Sequence, residues 1–362
     1  MFNRILVPLD GSPLAERAIP HAEQFARIFG SSIFLLEVLD PASFHENPIS
    51  VDPLSWQIRK AESDMYMQGV AARIRENLKI KPRDTKGAQN KSADTDEIKV
   101  KYFIREGKTA ENIVNFAHNE DIDLLVICTH GSGGLSRWNI SSVTQKVINL
   151  IYLPVLVVRA YHQPATFDNR IYYRRILLPI DSSRRAECSL SAGIALARGE
   201  MALRLAPETN NRSNRRTAPV ISPAPTKLIL TAVIKPPELP IPEPYPLEIE
   251  QLSQQLMNVS REAVRTYLNE MKERLPVECD TSVLENISVS AAIQELASQE
   301  GDIDLVVLCA HGYTGQFAWP YGSIARNYIE HGTKPVLVIQ DVPRSQVQLT
   351  AAEIAAQKSG GR

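Results

Sequence analysis

Asp123-Leu-Leu-Val-Ile-Cys-Thr-His130-Gly131, followed by a polar loop, Ser141-Ser142, a helical stretch and Pro154-Val-Leu-Val-Val158, has a second copy in the same chain. That copy reads Asp304-Leu-Val-Val-Leu-Cys-Ala-His311-Gly312, a loop, Gly322-Ser323, a helical stretch and Pro335-Val-Leu-Val-Ile339. His130 and His311, Ser141 and Gly322, and Pro154 and Pro335 are each separated by 181 positions, so register holds through strand, loop, helix and strand. The openings repeat too: Arg4-Ile-Leu-Val-Pro8-Leu-Asp10-Gly-Ser12 matches Arg175-Ile-Leu-Leu-Pro179-Ile-Asp181-Ser-Ser183 at an offset of 171. The chain is one domain written twice, each copy of ordinary single-core size.

Within each copy, short apolar runs alternate with amphipathic helical stretches, the pattern of a parallel sheet covered on both faces. In the first copy strands are predicted at 4–9, 32–38, 98–104, 123–129 and 155–159, and helices at 13–29, 52–79, 110–119 and 141–150. In the second, strands fall at 175–180, 227–233, 279–285, 304–310 and 336–340, and helices at 183–198, 247–274, 290–299 and 323–331. Ser12-Pro13 suits a helix start and Gly30 a stop. The expected architecture is α/β: two tandem doubly wound, five-stranded parallel domains at 1–160 and 174–341, joined by a linker at 161–173. Polar tracts at 81–97 and 200–226 read as solvated insertions, and 342–362 as a frayed tail.

The formal net charge of −1 gives no electrostatic reason to expect a nucleic-acid or membrane-surface partner. The chain enters its first strand at once, without the basic and apolar regions of a secretory signal. The apolar run Val147 to Val158 is too short to cross a bilayer. The cysteines at 128, 188, 279 and 309 form no Cys-x-x-Cys, which reads as reduced, buried thiols in a cytoplasmic protein.

In a doubly wound sheet the ligand crevice lies beyond the carboxyl ends of the strands, between connections that leave on opposite faces. The loops after strands one and four are expected to flank it, and they are the segments repeated most faithfully. Glycines after His130 and His311 let backbone N–H groups approach an anion, and Ser141-Ser142 or Gly322-Ser323 open a helix whose first N–H groups lack partners. Two donor groups at that spacing suit a di- or triphosphate.

These motifs resemble the universal stress protein family, and the whole chain resembles a tandem form. In its nucleotide-binding members the motif is Gly-x-x-Gly-x9-Gly-Ser/Thr. The second copy reads Cys309-x-x-Gly312-x9-Gly322-Ser323 and the first Cys128-x-x-Gly131-x9-Ser141-Ser142, so both depart at the first glycine and the first copy also at the third. The resemblance implies an adenine-nucleotide hydrolase-like, Rossmann-like fold and an adenine nucleotide as ligand, ATP first, then AMP or cyclic AMP, with Mg2+ beside a triphosphate. It places Asp10 and Asp181 beside the adenosine and the backbone of Val38 and Val233 at the adenine edge. Gly312, Gly322, Ser323, Asp181 and Val233 make one site; Gly131, Ser141, Ser142, Asp10 and Val38 make the other. If position 141 requires a positive φ, serine there costs ~1–2 kcal/mol and the second copy holds the stronger site.

Other readings compete. Asp10 and Asp181 can be helix caps, and His130 and His311 packed turn residues. Gly107-Lys108-Thr109 resembles the end of a Walker A loop, but Tyr102 stands where that motif needs glycine, so Thr109 and its counterpart Ser290 are read as N-caps. No catalytic residue or metal-ligand spacing is assigned; a regulatory, stress-response role is expected, against a slow Mg2+-dependent ATP hydrolase or a nucleotide-free scaffold. The apolar last strands, 155–158 and 336–339, are expected to pair with each other in an intrachain pseudo-dimer, since a bare edge of that kind recruits other chains.

Overall fold

The computed structural model describes residues 1–41, 53–78, 98–131, 140–161, 166–167, 170–205, 226–238, 245–299, 303–313 and 320–342. The chain divides into two compact units, one built mainly of Met1–Ile171, the other mainly of Tyr172–Gln316 and Tyr321–Asp341.

The first unit contains β1 (Arg4–Leu9), α1 (Ala18–Phe29), β2 (Ser32–Leu39), α2 (Pro53–Asn77), β3 (Val100–Glu106), α3 (Thr109–Asn119), β4 (Leu124–Cys128), α4 (Ser142–Leu150) and β5 (Val155–Val158). The five strands run in the order β5-β4-β1-β2-β3, all parallel. β1 pairs with β2 on one side and β4 on the other. The chain first moves outward from β1 to β3 with α1 and α2 packed together, then returns to β4 and β5 with α3 packed on α4. The reversal puts the topological switch point between β1 and β4. Central strands are buried on both faces, which is why β4 reads as an unbroken apolar run, Leu-Leu-Val-Ile-Cys.

The second unit repeats the plan with β8 (Arg175–Pro179), α5 (Cys188–Leu205), β9 (Lys227–Ile234), α6 (Leu247–Arg274), β10 (Cys279–Glu285), α7 (Val289–Gln299), β11 (Leu305–Cys309), α8 (Ser323–His331) and β12 (Val336–Ile339). Its strand order is β10-β9-β8-β11-β12, again parallel, with β8 between β9 and β11.

Three local features depart from the sequence reading. Helix α1 begins at Ala18 and not at 13, because the residues after Ser12 first wind as a tight 3-10 turn, Ala15–Arg17. Helix α5 starts at Cys188 and runs to Leu205, beyond the expected 183–198. Gly199 suggests a stop, but the following Glu-Met-Ala-Leu-Arg-Leu are strong helix formers. The carboxylate of buried Glu200 accepts the Tyr173 backbone N–H at 3.3 Å, so this position is core and not insertion. The segment read as a plain linker carries a short antiparallel pair, β6 (Thr166–Phe167) with β7 (Arg170–Ile171). Gly30 ends α1 as expected, in the left-handed conformation (φ 70°), its N–H donating to Ala26 O. The tract 81–97 and the tail after 342 lie outside the described residues.

Candidate functional site

Beyond the carboxyl ends of β1, β2 and β4, at the switch point of the first unit, lies a cavity of 390 Å3. Asp10, Val38, Gly131, Ser141 and Ser142, the five positions singled out in the first copy, all line it. They come from three strand ends and one helix start, and only the parallel order of the sheet brings them together. Gly133 and Gly134 lie outside the described residues.

Asp10 follows β1 and is exposed, its Oδ1 accepting the Ser12 N–H (3.0 Å) and the Ser12 hydroxyl (2.6 Å). Ser12 Oγ in turn accepts the Ala15 N–H at 3.1 Å, so serine, not aspartate, bonds the first N–H of the 3-10 turn that leads into α1. This leaves Asp10 Oδ2 directed at the fourth-strand loop: a Cβ on Gly131 would run into that carboxylate oxygen. Glycine at 131 is a requirement of close approach.

The second unit builds the same joint. Asp181 Oδ1 accepts the Ser183 N–H (3.1 Å) and hydroxyl (2.6 Å), Ser183 Oγ accepts the Ala186 N–H (3.1 Å), and Asp181 Oδ2 accepts the Tyr313 N–H at 2.7 Å. A Cβ on Gly312 would meet Asp181 as one on Gly131 meets Asp10. Val233, the counterpart of Val38, is half-buried near the carboxyl end of β9. Gly315 lies outside the described residues.

The helix starts differ from expectation. Ser141 has φ −61° and ψ 152°, extended backbone open to any residue, and Gly322 is similar at −69° and 171°. The strain argument for ranking the second copy above the first therefore does not apply. Each N-cap is tied back to the preceding strand end, Ser141 N–H to Thr129 O (2.7 Å) and Gly322 N–H to Ala310 O (2.8 Å). Ser141 adds a bond that glycine cannot: its Oγ accepts the Thr144 N–H at 3.1 Å, while Thr144 Oγ1 donates to Cys128 O at 3.0 Å. Ser141→Ala is expected to lower unfolding stability by about 1 kcal/mol and Ser141→Gly by only a few tenths. Urea denaturation compares them; equal losses would show that backbone freedom, not the hydroxyl cap, matters at this position.

Several residues that the sequence reading did not assign also face this cavity. Glu37, next to Val38, is buried, and the Ser63 hydroxyl of α2 donates to its Oε2 at 2.7 Å. Burial lifts the Glu37 pKa above the usual carboxylate range, opposed by the Ser63 bond and the charge of Arg59, which also lines the cavity, and reinforced by Asp10. In the second copy alanine, Ala232, precedes the matching valine. Nothing in the first copy's periodicity could mark Glu37, because it occupies an inward position of an apolar strand.

Thr109 is the first residue of α3 and lines the cavity, so it is not the N-cap it was expected to be; Lys108 holds that place without a side-chain cap bond, after Gly107 at φ 113°. Ser290 likewise lies inside α7, and Ser288 Oγ accepts the Ala291 N–H at 3.3 Å instead. In both copies the cap sits earlier than the hydrophobic pattern indicates. His130 and His311 are buried, the first with Nδ1 3.1 Å from Thr129 Oγ1, the second with Nδ1 2.7 Å from Asp341 Oδ1. Among the described residues, no group of three or more His, Cys, Asp or Glu is arranged to hold a metal ion.

Residues 1–159 and 222–340 match the Universal stress protein family. The chain belongs to that family. Two matched segments make it a tandem universal stress protein. Universal stress protein MJ0531 of Methanocaldococcus jannaschii is 30% identical over 159 residues, 44% of this chain and 83% of that protein. Universal stress protein MJ0577 of the same organism is 29% identical over 164 residues, 44% of this chain and 96% of its own length. Among solved structures, a universal stress protein from Archaeoglobus fulgidus DSM 4304 superposes with a TM-score of 0.55 at 14% identity, covering 94% of this chain and all of that one, a likeness of fold. No helix among the described residues is long and apolar enough to cross a membrane.

Proposed function

We propose that this tandem universal stress protein binds an adenine nucleotide in the cleft of its first unit, with ATP the leading candidate and AMP or cyclic AMP next, and acts as a regulator in stress response. The observation that carries the reading is the convergence of Asp10, Val38, Gly131, Ser141 and Ser142 on one cavity of 390 Å3, within the size range of small-molecule sites. Ser142 and Val143 open α4 and line the cavity, where first-turn N–H groups have no intrahelical partner and carry partial positive charge. They and the Gly131 backbone suit phosphate oxygens, the Val38 backbone the adenine edge, and Asp10 the ribose hydroxyls. Asp40, Glu37 and Asp10 make the lining acidic apart from Arg59, so a triphosphate held there needs Mg2+ to offset part of its charge. Such an ion is held chiefly by the phosphates.

Asp181, Val233, Gly312, Gly322 and Ser323 form a second site of the same plan. The buried histidines are taken as packed turn residues, and the protein as a binding module of the cytoplasm. The strands Val155–Val158 and Val336–Ile339 are proposed to pair in a pseudo-dimer, since both are wholly apolar and each ends its unit's strand order.

Thermal unfolding with ATP, AMP and cyclic AMP tests the reading. At ligand near 100 times Kd the expected gain is ~2.7 kcal/mol, a rise in Tm of several degrees. No shift with any of the three would leave a scaffold that works through protein partners. Sustained ATP turnover in the wild type that Gly131→Val abolishes would instead identify a slow hydrolase.

A further inference from the structure

Two of the four cysteines meet in the second unit. Cys188 opens α5 and Cys309 closes β11; they stand 121 positions apart in sequence, yet their sulfurs lie 2.9 Å apart. A disulfide brings sulfurs to about 2.05 Å, so the pair needs to close by under ~1 Å. Both residues are half-buried, whereas Cys128 and Cys279 are fully buried. We propose that Cys188 and Cys309 form a reversible intramolecular disulfide by exchange with a small-molecule disulfide of the glutathione type.

The exchange balances in two steps. The Cys188 sulfur gives up its proton and attacks one sulfur of the small disulfide, whose S–S bond breaks; one small thiolate leaves, takes up a proton and a mixed disulfide remains on Cys188. The Cys309 sulfur then loses its proton and attacks the Cys188 sulfur, releasing the second small thiol. Two protein thiols are oxidised and one small disulfide is reduced to two thiols. The hydrogen bond with Cys188 and burial both push the Cys309 thiol up; attack by either sulfur first ends in the same bridge.

The device belongs to the second unit alone. Cys128 occupies the position of Cys309 in the first copy, but the offset of 171 that relates Asp10 to Asp181 puts Arg17 where Cys188 stands. The bridge would tie the first turn of α5 to the strand end that leads into His311 and Gly312, and would close a long loop of chain, which restricts the unfolded state.

The test uses the full chain, incubated folded with glutathione disulfide, then denatured and alkylated. The number of alkylatable thiols is expected to fall from four to two, peptide mapping should find Cys188 joined to Cys309, Tm should rise by several degrees, and dithiothreitol should reverse all three. Cys309→Ser should instead retain one glutathione on Cys188, and Cys188→Ser should form no bridge. Four alkylatable thiols in the treated, folded wild type, or a bridge between any other pair, would overturn the proposal.

Discussion

Gly131→Ala is expected to weaken ATP binding in the first unit by about 10- to 150-fold while leaving the chain folded. The added Cβ has nowhere to go except into the Asp10 carboxylate, and Asp10 is fixed by two bonds from Ser12, which in turn caps the turn at Ala15. Moving Asp10 loosens the β1–α1 connection that forms one wall of the cavity. A hydrogen bond to a charged group is worth ~1.5–3 kcal/mol, and every ~1.4 kcal/mol is tenfold in Kd. Gly312→Ala should do the same in the second unit, with the added loss of the Tyr313 N–H bond to Asp181. Gly69→Ala is the control, because a Cβ there meets nothing within 4 Å in the middle of α2. Titration calorimetry on the three variants decides the matter; Gly131→Ala and Gly312→Ala both binding within twofold of wild type would refute the cradle.

Deleting residues 335–340 is expected to produce aggregates or intermolecular dimers. The deletion removes all of β12, whose Val336, Leu337, Val338 and Ile339 are buried. At ~1.5–3 kcal/mol per buried side chain the loss is roughly 6–12 kcal/mol, comparable with the whole stability of a domain. It strips β11 of its parallel neighbour, and under the proposed pseudo-dimer it also leaves β5 with a bare apolar edge. Light scattering after size exclusion reads the result, and a soluble, compact monomer would overturn the pairing. In a second arm, 174–342 expressed alone should dimerise through β12; a folded monomeric fragment would count equally against it.

How much of this was legible beforehand varies with the kind of interaction. Strand and helix positions followed from period and register, and the repeated apolar runs place β4 and β11 to within a residue of where they lie. The misreadings occur where a side chain makes a tertiary bond or where short polar residues compete with the backbone. Glu200 looks like the start of a polar insertion until its carboxylate is seen under the Tyr173 N–H. Thr109 and Ser290 looked like caps because they sit at the pattern boundary, yet the turn geometry moves the cap one or two residues earlier.

The site shows the same division. Gly131 and Gly312 stood out by repetition, but the reason for glycine, a carboxylate pressed against its Cα, is a contact across more than a hundred residues. The ranking of the two copies rested on a backbone angle, and the angle at Ser141 is ordinary. Glu37 carries no sequence signal at all, since one carboxylate in an apolar strand cannot be distinguished from a local exception until its serine partner on α2 is placed.

Duplication, parallel α/β architecture, and the identity of the loops that flank each crevice were already written in the linear order of residues, because periodicity and repeat spacing are local properties that survive without coordinates. The three-dimensional arrangement alone decided which glycines are sterically obligatory, that Ser12 and Ser183 rather than the aspartates cap their turns, that Glu37 and Arg59 face the first cavity, and that Cys188 meets Cys309. Apart from the local serine turns, each of these depends on the distance between atoms far apart in the chain, and that distance is set only when the sheet closes its strand order and the helices pack on its faces.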